Sequence, residues 1–301
     1  MQTILSISEK HRLISLPEPL HPLVSVVRIA DMRFTDSIRW EHFTMGFYCI
    51  SLKRNVKGKS RYGQQYYDYD KGLMTFVAPK QVLSLPDMSA DTLADATGFA
   101  LLLHPDFLYN HPLAAKIKSY GFFAYTVNEA LHLSAKEEQY MLEIFEKIDE
   151  EYQHIDHHTQ DIILSHIDLL LNYSNRFYQR QFITRKAVNH DLLTRMEQLL
   201  NQHFEQTETQ NAGLPTVESV AAQLNLTPHY LSDMLRSLTG LTAQQHIHEK
   251  LMEKAKEYLS VTNLSVAEIA YRLGFEYPQS FNKLFKKKAE VSPLEFRQRF
   301  N

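Results

Sequence analysis

The chain has 301 residues, 44% of them hydrophobic and 22% charged, a formal net charge of -3 and one cysteine, Cys49. That balance describes a globular chain long enough for about two domains with real cores. A single cysteine excludes an internal disulfide framework and a cysteine zinc site. No apolar run reaches the ~18 residues of a membrane span, and the opening "MQTILSISEKHRL" turns polar too early for a signal peptide, so a cytoplasmic protein is expected.

Strand signals dominate the first 132 residues. Aromatic and β-branched runs such as "HFTMGFYCISLKR" and "GLMTFVAP" are separated by the breakers "KGKS", "DYDKG" and "APKQ". This pattern predicts strands over Phe43–Lys53, Gln64–Asp68, Leu73–Val77 and Gly98–Leu103, in an antiparallel sandwich or barrel. Cys49 sits in the apolar run "FYCISL" and reads as core. The aromatic residues Trp40, Phe43, Phe47, Tyr66, Tyr67 and Phe76 could line a pocket for a small effector, and core packing explains them equally well.

After His132 the period changes. "LSAKEEQYMLEIFEKIDEEY" opens with Ser134 and Glu137 in capping-box spacing and sets Met141, Ile144, Phe145 and Ile148 on one helical stripe. "TQDIILSHIDLLLNYSNRFYQRQF" carries a wider stripe through Ile163, His166, Ile167, Leu170 and Leu171, suited to core or to a dimer seam. Between them "HIDHH" spaces His154, His157 and His158 as helical neighbours; a polar helix junction accounts for them better than zinc does. A third helix precedes the polar segment "EQTETQNAGLP", which reads as a linker. Residues 133–212 thus form a helical dimerisation or linker region.

Beyond the linker the sequence repeats. Val217, Val220, Ala221 and Leu224 return as Val266, Ile269, Ala270 and Leu273, and Leu231, Met234 and Leu235 return as Phe281, Leu284 and Phe285. The offset grows by one residue in the turn, so each copy reads as helix, turn, helix. Ser265 with Glu268, and Ser292 with Glu295, mark helix starts, while Thr227–Pro228 and Ser292–Pro293 put proline in a first turn. Asn225 and Gly274 hold the place of a left-handed turn residue. "AQQHIHEKLMEKAKEYLS" would join the two copies as one helix through Ile247, Leu251, Ala255 and Tyr258.

At about 100° per residue, the seam of the second copy turns Gln279, Lys283 and Lys286 outward, flanked by Asn282 and Lys287. The same rotation exposes His229, Asp233 and Arg236 in the first copy, flanked by Ser232 and Ser237. From Gly213 onward eleven Lys/Arg stand against nine Asp/Glu, whereas the rest of the chain is acidic. Gln and Asn pair with adenine, Arg and Lys with guanine, Asp with cytosine, and lysines near a helix end suit phosphate. A solvated face explains the lysines alone but not two equivalent units.

These motifs, above all "LTPHYLSDMLRSLTG" and "SVAEIAYRLGFEYPQSFNKLFKKKAEVSP" with the closing "SPLEFR", resemble the AraC/XylS transcription regulators over about Leu214 to Phe300. The resemblance implies an all-α domain over 213–301 with two helix-turn-helix units joined by a linker helix, promoter DNA as partner and contact with RNA polymerase. It implies a cupin-like β domain with packed helices over 1–132 that binds an effector and supports a homodimer. Carried over by position, the DNA-binding residues are His229, Ser232, Asp233 and Arg236, then Tyr277, Gln279, Ser280, Asn282 and Lys283; the rotation adds Lys286, turned toward the groove, and Lys287, which flanks it toward phosphate. Two residues depart from the family pattern: Asp233 stands where a base is common, and Glu290 where a glycine is expected. No catalytic set, metal site or cofactor is expected, because the predicted strands carry no cluster of His and carboxylates. A constitutive regulator whose N-terminal half only dimerises, a cupin-type enzyme fused to a DNA-binding tail, and a protein-binding helical module remain as alternatives.

Overall fold

The computed structural model describes residues 2–299 apart from 34–41, 56–59, 63–64, 68–71, 84–94, 127–128 and 211–212. The chain forms two compact units, Met1–Gln181 and Phe182–Asn301.

The first unit is built on an antiparallel sheet. It contains β1 (Gln2–Ile4), α1 (Ile7–Leu13), β2 (Val24–Arg28), β3 (Phe43–Met45), β4 (Tyr48–Arg54), β5 (Ser60–Tyr62), β6 (Gln65–Tyr67), β7 (Leu73–Val77), β8 (Thr97–Leu103), α2 (Leu113–Lys116), β9 (Leu131–His132) and α3 (Ala135–Gln153). Helix α4 (Thr159–Thr184) follows. The five-stranded sheet runs β2-β8-β4-β7-β9, while β1 pairs with β3 in parallel and β5 with β6 antiparallel. Among the described residues this sheet does not close into the expected cupin-like barrel. Helix α3 packs on β2 and β8 and covers one face. There Phe99 of β8 stacks on Phe145 of α3 at 5.7 Å, and Ile50, Leu52, Leu101 and Leu103 are fully buried.

The predicted strand Phe43–Lys53 is two strands. Its break is Gly46, whose N–H donates to the Ile4 carbonyl at 2.8 Å and whose missing Cβ leaves room for the Leu5 carbonyl. On the opposite face of the sheet from α3, Ile4, Ile7, Ile14, Phe43, Phe47 and Leu102 belong to one apolar cluster. Ser134 and Glu137 form the predicted capping box of α3.

The second unit is helical. Helix α5 (Lys186–Gln210) runs on through residues expected to be linker, since "EQTETQ" contains no breaker before Gly213. Then come α6 (Val217–Gln223), α7 (Pro228–Thr239), α8 (Ala243–Val261), α9 (Val266–Arg272), α10 (Pro278–Ala289) and α11 (Pro293–Arg297). Capping boxes open α9 and α11 as expected, and two more, Thr216 with Ser219 and Thr242 with Gln245, open α6 and α8. Among the described residues no helix is long and apolar enough to cross a membrane.

Candidate nucleic-acid interface

The repeat read from sequence is a repeat in space. Helix α6 ends in a Schellman turn: Asn225 takes φ 57° and Leu226 N–H donates to the Ala221 carbonyl at 2.9 Å. Helix α9 ends the same way at the equivalent residues, with Gly274 at φ 91° and Phe275 N–H donating to the Ala270 carbonyl at 3.0 Å. The added residue of the second copy falls between Phe275 and Tyr277, as Glu276. Both second helices then start on proline, Pro228 and Pro278, and run twelve residues.

The starts of those helices differ. Thr227 caps α7 by accepting from the Tyr230 N–H at 3.2 Å, whereas Tyr277 starts α10 with no side-chain cap. The Tyr277 ring is 58% exposed beside that helix N-terminus, where the Ser280 N–H donates to the Tyr277 carbonyl at 3.0 Å. At the far end both helices finish in a left-handed residue, Gly240 at φ 80° and Glu290 at φ 63°. Glu290 thus adopts the glycine conformation rather than reshaping the turn.

The seams lie where the rotation put them. Tyr230, Leu231, Met234 and Leu235 are buried in the first copy, and Phe281 and Phe285 in the second, with Leu284 half-buried. Phe275, Phe281, Phe285 and Phe296 form a chain of rings spaced 5.4–5.7 Å apart. On the opposite face Gln279, Ser280, Asn282, Lys283, Lys286 and Lys287 are all exposed. In the first copy His229 and Arg236 are exposed, whereas Ser232, Asp233 and Ser237 are half-buried. Asp233 Oδ1 accepts from Arg236 Nη1 at 3.3 Å, so the acid that departs from the family pattern holds the neighbouring base.

Charge separates the two helices. Helix α10 carries Lys283, Lys286, Lys287 and Lys288 and no acid, while α7 pairs its one arginine with its one aspartate. Three of those lysines fall in the last turn, where they also complement the helix dipole. Their field reaches α8: burial holds the His248 imidazole below its usual pKa, and Lys288 and Lys287 depress it further. Elsewhere on α8 lysines pair with acids, Lys250 with Glu253 and Lys254 with Glu257, each at 2.9 Å. The surplus positive charge is concentrated on α10.

The expected effector residues divide. Trp40 and the side chains of Tyr66 and Tyr67 lie outside the described residues. Phe43 and Phe76 line a cavity of about 400 Å³ within the first unit, whereas Phe47 is wholly buried in the neighbouring core. Lys10, Lys53 and the half-buried Cys49 also line that cavity; neither lysine was suggested by the sequence pattern. The three histidines of "HIDHH" do not share a helix, because α3 stops at Gln153 and α4 starts at Thr159. They flank Asp156, which accepts from the N–H groups of His158 and Thr159. Among the described residues no group of three or more His, Cys, Asp or Glu could hold a metal ion.

Comparison with known proteins matches the same stretch. Residues 220–299 match a family described as a helix-turn-helix domain. An HTH-type transcriptional activator RhaS of Klebsiella pneumoniae is 33% identical over 122 residues, which is 40% of this chain and 44% of the relative's length. Among solved structures, the C-terminal domain of AraT, a response regulator of Geobacillus stearothermophilus, is 36% identical and covers 36% of this chain and 84% of that one, with a TM-score of 0.32. The C-terminal domain of the response regulator yesN of Fusobacterium nucleatum is 33% identical over 34% of this chain and 96% of that one, at a TM-score of 0.29. Residues 220–299 thus carry a helix-turn-helix domain, on the stretch that holds the repeat and its paired left-handed turns.

Proposed function

We propose that this chain is a sequence-specific DNA-binding transcription regulator, with α7 and α10 as the helices that enter successive major grooves. The observation that carries this reading is the doubled unit, in which the apolar seam of each second helix is buried while its polar face is open. Helix α8 spans ~28 Å, comparable to the ~34 Å between successive major-groove turns once the unit widths are added. His229, Ser232, Asp233 and Arg236 on or beside α7, and Tyr277, Gln279, Ser280, Asn282 and Lys283 on α10 or at its start, are the base-reading set. Lys286 reaches the groove and Lys287 meets phosphate. The family resemblance and the similarity to a protein named a transcriptional activator support a cytoplasmic regulator that contacts RNA polymerase and acts as a homodimer through its N-terminal half. The cavity of the first unit supports a response to a small effector.

The test is selection of bound DNA from genomic fragments, followed by titration of the recovered site at several salt concentrations. A phosphate-contacting regulator loses affinity linearly on a log–log scale, each neutralised phosphate contributing about 0.9 to the slope. A helical module made for protein partners would select no sequence and show no such slope.

A further inference from the structure

Two equivalent positions set the outward faces of the repeat apart. Asp233 and Arg236 of α7 correspond to Lys283 and Lys286 of α10. In α10 both lysines are exposed, and the helix carries no acid. In α7 the two residues close on each other, with Arg236 Nη1 donating to Asp233 Oδ1 at 3.3 Å across one helical turn. The Asp233 side chain is 26% exposed and that of Arg236 58%, so the acid is the more covered partner and the guanidinium stands out. Both lie away from the buried seam of Tyr230, Leu231, Met234 and Leu235.

An exposed ion pair one turn apart adds little to the stability of a helix. Its effect is on what the arginine can bind. A guanidinium carries its N–H groups in a rigid fork, and holding Nη1 leaves the Nε and Nη2 side as a parallel pair of donors. That pair matches O6 and N7 of guanine in the major groove. Phosphate suits it less, because the Asp233 carboxylate repels an anion drawn to the same guanidinium. Guanine brings no net charge, and the cytosine paired with it presents its N4 amino donor beside O6, where a carboxylate is favoured. Lys283 and Lys286 are point charges with neither a fork nor an acid on their helix.

We infer that, within the base-reading set, Arg236 reads a guanine in the half of the site held by the first unit, and that Asp233 is its positioning residue. The carboxylate fixes the guanidinium and turns it away from phosphate. This rests on the DNA-binding reading above and names the base that one helix selects. With its arginine committed to a base, α7 offers no other Lys or Arg to phosphate.

Selection of bound duplexes from a random pool with the full chain, followed by anisotropy titration, tests it. Each guanine of the recovered site is replaced in turn by 7-deazaguanine, which pairs normally and lacks the N7 acceptor. At one guanine the replacement lowers wild-type affinity by roughly five- to ten-fold, and Arg236→Ala and Arg236→Gln both remove that loss. Asp233→Asn moves two readouts in opposite directions: the preference for that guanine falls, while affinity for a scrambled duplex rises. In the Arg236→Ala background Asp233→Asn leaves the preference unchanged. Circular dichroism confirms that each variant keeps its helices. Arg236 variants that weaken all sequences alike, or an Asp233→Asn chain that loses both affinities together, would overturn the assignment. A wild-type chain indifferent to 7-deazaguanine at every position overturns it without any variant. A chain that selects no sequence overturns the regulatory reading as well, whereas one that selects a site without an Arg236-dependent guanine removes this inference and leaves that reading standing.

Discussion

Gly240 and Glu290 occupy equivalent places fifty residues apart, each ending a helix of the repeat in left-handed backbone, at φ 80° and 63°. Only one of them is a residue for which that backbone is free of steric cost. Glu290→Gly is therefore expected to stabilise the second unit by about 1 kcal/mol, and Gly240→Ala to destabilise it by a similar amount. Urea unfolding of both variants measures the difference. Loss of stability in Glu290→Gly would mean that the glutamate side chain makes a compensating contact.

The two left-handed glycines of the repeat differ in what surrounds them. A Cβ at Gly240 meets nothing within 4 Å, but one at Gly274 would fall on the carbonyl of Gly213 and close on Leu214. Gly274→Ala should cost roughly 2 kcal/mol or more, because backbone rather than a pliant side chain stands in the way. Equal losses at the two sites, in the same unfolding series, would show that the Gly213 segment yields freely.

Within the proposed interface, Lys283 and Lys287 make different predictions. Lys283→Ala should reduce discrimination between the selected site and a mismatched one by roughly 1–3 kcal/mol, if it reads a base. Lys287→Ala should weaken all sequences alike and lower the salt slope by about 1, as loss of one phosphate contact does. Fluorescence anisotropy with matched and scrambled duplexes at several salt concentrations distinguishes them. Uniform losses for both would remove Lys283 from the reading set.

Lys10 gives the N-terminal unit a pH signature. Its folded pKa of about 8 lies below its usual 10.5, so between those values the unfolded chain holds more protons and stability rises with pH. The cost is complete below about pH 8 and gone above 10.5. Lys53 and Cys49 on β4 face the same space, and the lowered pKa of Lys53 acts in the same direction. Lys10→Met should flatten the rise and stabilise the unit near neutral pH by on the order of 1–3 kcal/mol. Circular dichroism of urea unfolding at stepped pH checks the rise and its loss in the variant.

The helical repeat was legible because its signals are local. Ser265 and Glu268 cap within one turn, and the spacing of Phe281, Leu284 and Phe285 defines a face without reference to the rest of the chain. The sheet was only half legible. Leu73–Val77 stood out as a β-branched run, but Gly46 breaks a strand through a contact with Ile4 and Leu5, some forty residues earlier in the chain. Short α1 holds only seven residues and gives no sustained period. The cavity was hidden for a related reason. "YCISLKR" reads as an apolar run, yet its alternate residues Cys49, Ser51 and Lys53 form a polar face that only strand pairing separates from Ile50 and Leu52. Lys10 joins them from a distant helix, a proximity that no spacing rule encodes.

Phe204 of α5 belongs to the same buried cluster as Phe281, Phe285, Leu251 and Ile269. The core beneath the second unit's outward helix is thus closed by a side chain that precedes both copies of the repeat. Just before it, His203 Nε2 hydrogen-bonds the Gly213 carbonyl at 2.9 Å, the carbonyl that lies against Gly274. An excised fragment beginning at Gly213 would keep every residue that faces outward and lose the phenyl ring underneath. Such a fragment would hold α10 more loosely, and comparing its unfolding with that of one that begins at Phe182 would show how much of the repeat's firmness comes from a helix outside it.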